Sequence, residues 1–267
     1  MTKPLPDLQA ICLKACEAAK TAGAFIREEQ KKIKAIQVEV KSRNSLVTYV
    51  DKQSEIMLVE MLSLLIPNAG FLTEEDTTDT KGETYNWVID PLDGTTNFIH
   101  GIPCFAVSIG LLKEGIPVLG IVYEVNLDEC FYAWEGSKAY LNGKEIHVSA
   151  ALKLEDSLIA TGFPYYDHER EEEYMKLFVH FMHNTRGLRR LGSAATDLAY
   201  VACGRFEAFY EYSLHPWDVS GGAFIVQQAG GRVCDFKGGT DFIFGKSIVA
   251  CNAGVFDEFM KVLGEYF

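Results

Sequence analysis

The stretch Trp87-Val-Ile-Asp90-Pro-Leu-Asp93-Gly-Thr-Thr-Asn-Phe98 decides how the rest of this 267-residue chain is read. Trp87 to Ile89 form an apolar run that predicts a buried strand stopping at Asp90. Pro91 and Gly94 then favour a tight turn, with a second carboxylate, Asp93, three residues after the first. Carboxylate oxygens are hard ligands for magnesium, which commonly takes one or two of them together with substrate phosphate oxygens. Gly94 lets the backbone approach a ligand closely, and the N–H groups that follow can cradle an anion. A strand ending in two acids and then Gly-Thr-Thr suits a cation and a phosphate at once. An Asp-Pro turn closed by an Asx bond fits the same residues, and the segment alone leaves both readings open.

Outward from this segment the chain divides into two patterns. Residues 5–30 carry Leu8, Cys12, Ala15, Ala19, Ala22 and Ile26 at helical spacing. A second helix is predicted from Asp51, with Ile56, Val59, Leu62 and Ile66 on its stripe and Pro67 as its stop. Strands are predicted at 38–41, 70–73, 105–112, 118–125 and 130–134, with a hairpin at Asn142-Gly143. After residue 150, strands near 157–161, 187–191, 205–210, 231–235 and 247–251 alternate with helices near 170–183, 193–202 and 218–229, and a last helix starts at Val255. This predicts an α/β protein with an α+β first half, layered as an αβαβα sandwich. Its first sheet is expected to be mixed or antiparallel and its second largely parallel. The expected division is residues 1–150, carrying the metal-binding motifs, and residues 151–267, completing the substrate site.

Hydrophobic residues make up 48% of the chain and charged ones 23%, a globular balance. No apolar run approaches the ~20 residues that span a bilayer. The start, Met-Thr-Lys-Pro-Leu-Pro, lacks a signal-peptide pattern, so a cytoplasmic protein with no membrane partner is expected. A formal net charge of −12 argues against a nucleic-acid partner, because phosphate backbones need a basic face. The seven cysteines contain no Cys-x-x-Cys pair and are read as reduced, packed thiols.

Three further acidic features accompany Asp90 and Asp93. Glu74-Glu75-Asp76 follows the predicted strand 70–73, Asp218 opens a helix in His215-Pro-Trp-Asp218, and Asp51 opens another after Thr48. Each has a bland explanation: Asp51 and Asp218 are good N-caps, and 74–76 fits an exposed loop. Yet every one of them ends or begins an element, where α/β folds collect ligands. If they converge, several carboxylates cannot all stay ionised near neutral pH without cations among them.

Taken together, Glu74-Glu75, the Asp90–Phe98 segment, and Trp217-Asp218 with Gly221 resemble the inositol monophosphatase family, magnesium-dependent and lithium-sensitive phosphomonoesterases. Lys41 with Thr48 and Asp51, the segment Gly192-Ser193-Ala194, and Glu211 add to the likeness. The resemblance implies two or three Mg²⁺ ions, with Glu74, Asp90 and the Leu92 carbonyl holding a first and Asp90, Asp93 and Asp218 a second. It implies that Glu75 shapes the site, and that Thr95, with Glu74 or with Asp51 through Thr48, orients and deprotonates the attacking water. Gly94 and Thr95 would bind the phosphate, and Gly192, Ser193, Ala194 and Glu211 the alcohol; Glu74, Asp93 and Asp218 also face the substrate. A homodimer acting on a small phosphorylated polyol is the implied whole. Thr73 stands where the family often has Gly, and a β-branched residue there disfavours positive φ.

The residues also fit the chemistry without the label, since phosphoryl transfer needs positioning and charge neutralisation rather than a protein nucleophile. No P-loop, nucleophile elbow or zinc-like histidine spacing is present, and His215 is read as a packing neighbour. Thr96-Asn97-Phe98 resembles the inositol monophosphatase branch, and Glu211 can accept hydrogen bonds from polyol hydroxyls. Fructose-1,6-bisphosphatase or NADP(H) phosphatase activity on the same fold stands as the alternative. So does a non-catalytic metal-dependent binding protein or RNA-polymerase partner.

Overall fold

The computed structural model describes residues 6–32, 38–42, 45–78, 80–164 and 168–267, with 38–42 and 45–48 as backbone. Five layers stack in the order helix, sheet, helix, sheet, helix. The outer pair on one side is α1 (Leu8–Gln30) and α2 (Tyr49–Ser63). A two-stranded antiparallel ribbon, β1 (Val38–Ser42) and β2 (Ser45–Thr48), joins them. α1 begins where the Asp7 carboxylate caps the Ala10 N–H. It lays Cys12, Ala15, Ala19, Ala22 and Ile26 on the first sheet, the stripe expected from their spacing.

That first sheet runs β3 (Gly70–Thr73), β4 (Tyr85–Asp93), β5 (Ala106–Lys113), β6 (Ile116–Glu124), β7 (Glu129–Trp134), β8 (Ala139–Leu141) and β9 (Lys144–Ile146), paired in that order. It is antiparallel except for the parallel β3/β4 pair. The β8–β9 hairpin turns at Asn142 and Gly143, which both adopt positive φ, as the Asn-Gly pair predicts. A six-residue helix, α3 (Thr95–His100), follows β4 and packs against β2.

The second sheet contains β10 (Leu158–Thr161), β11 (Gly187–Arg189), β12 (Ala208–Tyr212), β13 (Arg232–Cys234) and β14 (Ser247–Cys251) in the order β11-β10-β12-β14-β13. Strands β10 to β13 all point one way, because helices α4 (Glu171–Asn184), α5 (Ala194–Ala202) and α6 (Pro216–Gln228) cross between them. β14 alone is reversed. A loop without a helix joins it to β13, and it inserts between β12 and β13, so two of the four pairings are antiparallel. Four of the five strands thus run in one direction, the largely parallel sheet expected from the sequence pattern, and β14 makes it mixed.

α5 and α6 form the central layer between the sheets, and α4 with α7 (Phe256–Leu263) covers the far face. There Phe181 stacks on Phe259 and both meet Tyr210 of β12. α6 lies flush on the first sheet because glycines remove the intervening side chains. A Cβ at Gly120 would stand 2.2 Å from the Gly221 carbonyl oxygen, and one at Gly110 would stand 2.4 Å from Ser220 Oγ. Among the described residues no helix is long and apolar enough to cross a membrane. All seven cysteines are free thiols; the fold brings Cys130 of β7 into hydrogen-bond reach of Cys16, which also bonds Cys12.

Candidate active site

β4 does not stop at Asp90. Its pairing with β5 continues to Asp93, through a bulge: Asp90 lies opposite Ser108 and Asp93 opposite Ala106, so three steps on β4 match two on β5. The bulge has a chemical consequence. Residues three apart on a regular strand face opposite sides of a sheet. The extra residue restores the phase, so both carboxylates face the α5/α6 layer, the side on which Val88 and Ala106 are buried. Pro91, which has no N–H to donate, sits inside the bulge, where a missing ladder bond costs least.

Neighbouring elements deliver the other acids to that face. Thr73 is the last residue of β3, extended and paired with Ile89, so it meets no demand for positive φ. The next residue, Glu74, donates its N–H to the Ile89 carbonyl and lines the cleft beside Asp90. Asp218 arrives on the first turn of α6. It is the third helical residue rather than the N-cap expected from sequence: His215 caps the helix, and the Asp218 carboxylate accepts the His215 N–H at 2.7 Å. The Trp217 carbonyl accepts a bond from Ser108 Oγ at 2.9 Å, pinning this helix end to β5. His215 stacks its ring on Trp217 with centroids 4.9 Å apart, a packing role.

Asp90, Asp93 and Asp218 each place a carboxylate oxygen within 4.8 Å of the others. At that distance two ionised carboxylates repel by about 3.5 kcal/mol at an effective dielectric of 20. Burial and this repulsion raise the proton affinity of all three carboxyls. Asp90 is pushed well above the usual range by burial and then by the charges of Glu74, Asp93 and Asp218, against the pull of the Leu92 N–H. Burial, Glu74 and Asp93 raise Asp218 likewise. Asp93 rises to about 6 through burial, held back by bonds from Ser193 Oγ and the Ala195 N–H, both 2.7 Å, and by Arg190. A set of hard oxygen donors that cannot all ionise alone fits a divalent cation such as Mg²⁺.

Next to the acids, Gly94 takes φ +94° as the N-cap of α3, and no side chain caps that helix. A Cβ there would meet the Cys104 and Gly192 carbonyl oxygens at 3.0 and 3.2 Å, so Gly94 is required both by its φ and by its space. Thr95 donates its hydroxyl to the Leu92 carbonyl at 3.0 Å. Gly192, Ser193 and Ala194 line the same cleft at the start of α5, held to α3 by Asn97 Nδ2, which bonds the Cys104 and Leu191 carbonyls at 2.8 Å. Glu211 of β12 also lines it, raised to about 8 by burial and by Asp93 against the pull of Arg190.

The structure thus gathers Glu74, Asp90, Leu92, Asp93, Gly94, Thr95, Gly192, Ser193, Ala194, Glu211 and Asp218 around one cleft. Asp51 does not line it. Asp51 is buried in the first turn of α2, two residues inside the helix start at Tyr49 rather than at an N-cap position. β2 ends at Thr48 beside α3, and the side chains of Thr48 and Lys41 lie outside the described residues.

Sequence reading missed two acids. Glu55, one helical turn after Asp51 and wholly buried, accepts the Glu75 N–H at 2.8 Å and the Thr77 N–H and hydroxyl at 2.9 and 2.7 Å. It thereby fastens the loop that carries Glu74. Asp197 of α5 lines the cleft itself. Both carried a readable signal, an acid on the apolar stripe of its helix (Glu55, Leu58, Leu62; Asp197, Leu198, Val201).

A family model described as the inositol monophosphatase family matches residues 7–264. A Pseudomonas aeruginosa protein named Nus factor SuhB is 40% identical over 254 residues, covering 93% of this chain and 94% of its own. An inositol-1-monophosphatase of Mesorhizobium japonicum is 36% identical over 248 residues, covering 92% and 93%. The crystal structure of the extragenic suppressor protein suhB from Bartonella henselae superimposes with a TM-score of 0.90 at 39% identity, covering 94% of this chain and 97% of its own.

Proposed function

The chain belongs to the inositol monophosphatase family, and from that premise we propose that it is a cytoplasmic Mg²⁺-dependent phosphomonoesterase acting on inositol 1-phosphate or a related polyol phosphate. One observation carries the reading: three carboxylates within 4.8 Å of one another, beside an uncapped α3 and a hydroxyl at Thr95, in a single cleft. Glu74, Asp90, Asp93, Asp218 and the Leu92 carbonyl are the donors for two or three Mg²⁺ ions. Bound Mg²⁺ supplies charge neutralisation and a lowered water pKa.

The protein's own groups do the rest. The backbone N–H groups of Gly94 and Thr95 bind the phosphate, with no caps in competition at that helix end. Thr95 Oγ, which donates to the Leu92 carbonyl, keeps its lone pairs for a water that Glu74 deprotonates. The assignment of Asp51 and Thr48 to water activation is an expectation that Asp51→Ala, assayed for kcat, tests. Ser193 and Ala195 hold Asp93 in one orientation, so the charge arrangement is set before substrate arrives. The Gly192–Ala194 segment and Glu211 face the alcohol. The name of the Mesorhizobium japonicum relative supports inositol phosphate as substrate over fructose 1,6-bisphosphate or NADP. Phosphate release from these three esters with Mg²⁺ and with excess EDTA tests the proposal. Turnover that persists in EDTA, or a preference for another ester, would refute the corresponding half of it.

The name Nus factor on the Pseudomonas aeruginosa relative favours a second reading, a role in transcription beside or instead of catalysis. With a net charge of −12, a protein surface suits this chain better as a partner than bare RNA. Surface plasmon resonance against RNA polymerase, Nus proteins and naked RNA separates these. Binding to none removes the second reading. Sedimentation of the purified chain tests the homodimer.

A further inference from the structure

α5 carries one acid that the proposed chemistry leaves without a task. Asp197 lies one helical turn beyond the N-cap Ser193, is 1% exposed, and lines the cleft. Its Oδ1 is enclosed and has no hydrogen-bond partner among the described residues. A buried carboxyl oxygen left unbonded costs roughly 1–3 kcal/mol, and native folds rarely retain one unless something outside the chain completes it.

Its surroundings say what that something is. Burial, then the charges of Glu211 and Asp93, push the Asp197 carboxyl well above its usual range, toward the protonated form that can donate, and Glu211 lines the same cleft. Glu211 is open to the same space because residue 162 is glycine. A Cβ at Gly162, which also lines the cleft, would sit 2.0 Å from Glu211 Oε1. Arg190 pulls both carboxyls the other way and supplies a balancing charge. Two carboxyl groups, able to donate and accept, match hydroxyls, which do both.

We propose that Asp197, together with Glu211, hydrogen-bonds the hydroxyl groups on the alcohol half of the substrate and so selects polyol phosphates over esters of unsubstituted alcohols. The inference rests on the phosphatase reading and adds Asp197 to it as a specificity-determining residue. Sites built to bond hydroxyls reject analogues that lack them, because the site's own groups are then left unpaired.

The experiment compares kcat/KM for inositol 1-phosphate with that for cyclohexyl phosphate, which keeps the ring and loses the hydroxyls. The unmodified protein is expected to favour the inositol ester at least tenfold, and a ratio near one overturns the inference whatever any variant does. Asp197→Leu, of similar size, is expected to lower that ratio about tenfold, chiefly through KM for inositol 1-phosphate. Asp197→Asn, which keeps a donor and an acceptor, is expected to retain most of it. Equal losses on both esters would mean that Asp197 only supports the fold, and an unchanged ratio would mean that it touches nothing on the substrate. Should the Leu variant not fold, Asp197→Ser is measured in its place against the same two outcomes. Hydrolysis of neither ester by the unmodified protein would bring down the phosphatase reading itself, a result distinct from a ratio near one.

Discussion

Replacing Asp93 by Asn is expected to stabilise the metal-free protein while abolishing its response to Mg²⁺. Burial holds the Asp93 carboxyl at about 6, against 3.8 for the free side chain. A group whose folded pKa is raised costs nothing below its unfolded value. Its penalty grows as pH rises from about 3.8 through about 6 and is complete above that. The shift of ~2.2 pH units, at 1.36 kcal/mol each, gives about 3 kcal/mol at pH 7.5. Asn carries no charge to desolvate, and its single oxygen can still accept both bonds that Asp93 Oδ2 receives, from Ser193 Oγ and the Ala195 N–H. For a chain of this size, 3 kcal/mol corresponds to a Tm rise of roughly 6–12 °C. Thermal unfolding in EDTA at pH 7.5 measures it. Addition of Mg²⁺ should then raise Tm for the parent, by about 2.7 kcal/mol at a hundred times Kd, and leave the variant where it was. A variant that melts at or below its parent in EDTA would refute the reasoning, because the acids would then not be held at an electrostatic cost.

Other perturbations follow from the same geometry. Glu55→Ala removes the acceptor of three hydrogen bonds that fasten residues 75–77. It should cost about 2–4 kcal/mol in chemical unfolding and raise the Mg²⁺ concentration for half-maximal activity at least tenfold. Gly94→Ala forces a side chain into φ +94° and against two carbonyl oxygens, so a loss of about 1–3 kcal/mol and a higher KM for the phosphate ester are expected. Glu211, raised from 4.5 to about 8, favours its protonated form in the fold, so its contribution to stability falls as pH climbs between those values. Glu211→Gln should therefore gain on its parent from pH 5 to pH 8.5 in EDTA, by as much as ~4 kcal/mol. Parallel Tm curves for the two would count against the burial argument.

Much of this architecture is legible before any coordinates. Periodicity marks α1 at Cys12, Ala15 and Ala19, the Asn142-Gly143 turn marks its hairpin, and alternation after residue 150 marks crossover helices, because these signals depend on neighbours within about ten residues. Less local features escaped. The helix α3 is too short to show a period, and its Thr-Thr-Asn-Phe start reads as turn. The reversal of β14 depends on where it inserts between β12 and β13, which no property of residues 247–251 encodes by itself. Glu55 and Asp197 stood in plain view as acids on apolar helix stripes. What they bond or face belongs to other elements.

The amino-acid sequence by itself determined which residue types the chain has for chemistry: hard oxygen donors at the ends of elements, a glycine before Thr95, and no nucleophile-elbow or P-loop motif. It also determined the family, since the motifs are contiguous and specific. Tertiary structure alone decided that Asp90 and Asp93, three apart on a strand, face the same way, because the bulge opposite Ser108 and Ala106 resets the pleat. It alone set Asp218 within 4.8 Å of them, through glycines that let α6 lie on the sheet. The physical reason is distance: charge repulsion, and the metal affinity it creates, acts through space between Asp93 and Asp218, 125 positions apart along the chain, and only the folded chain fixes that separation.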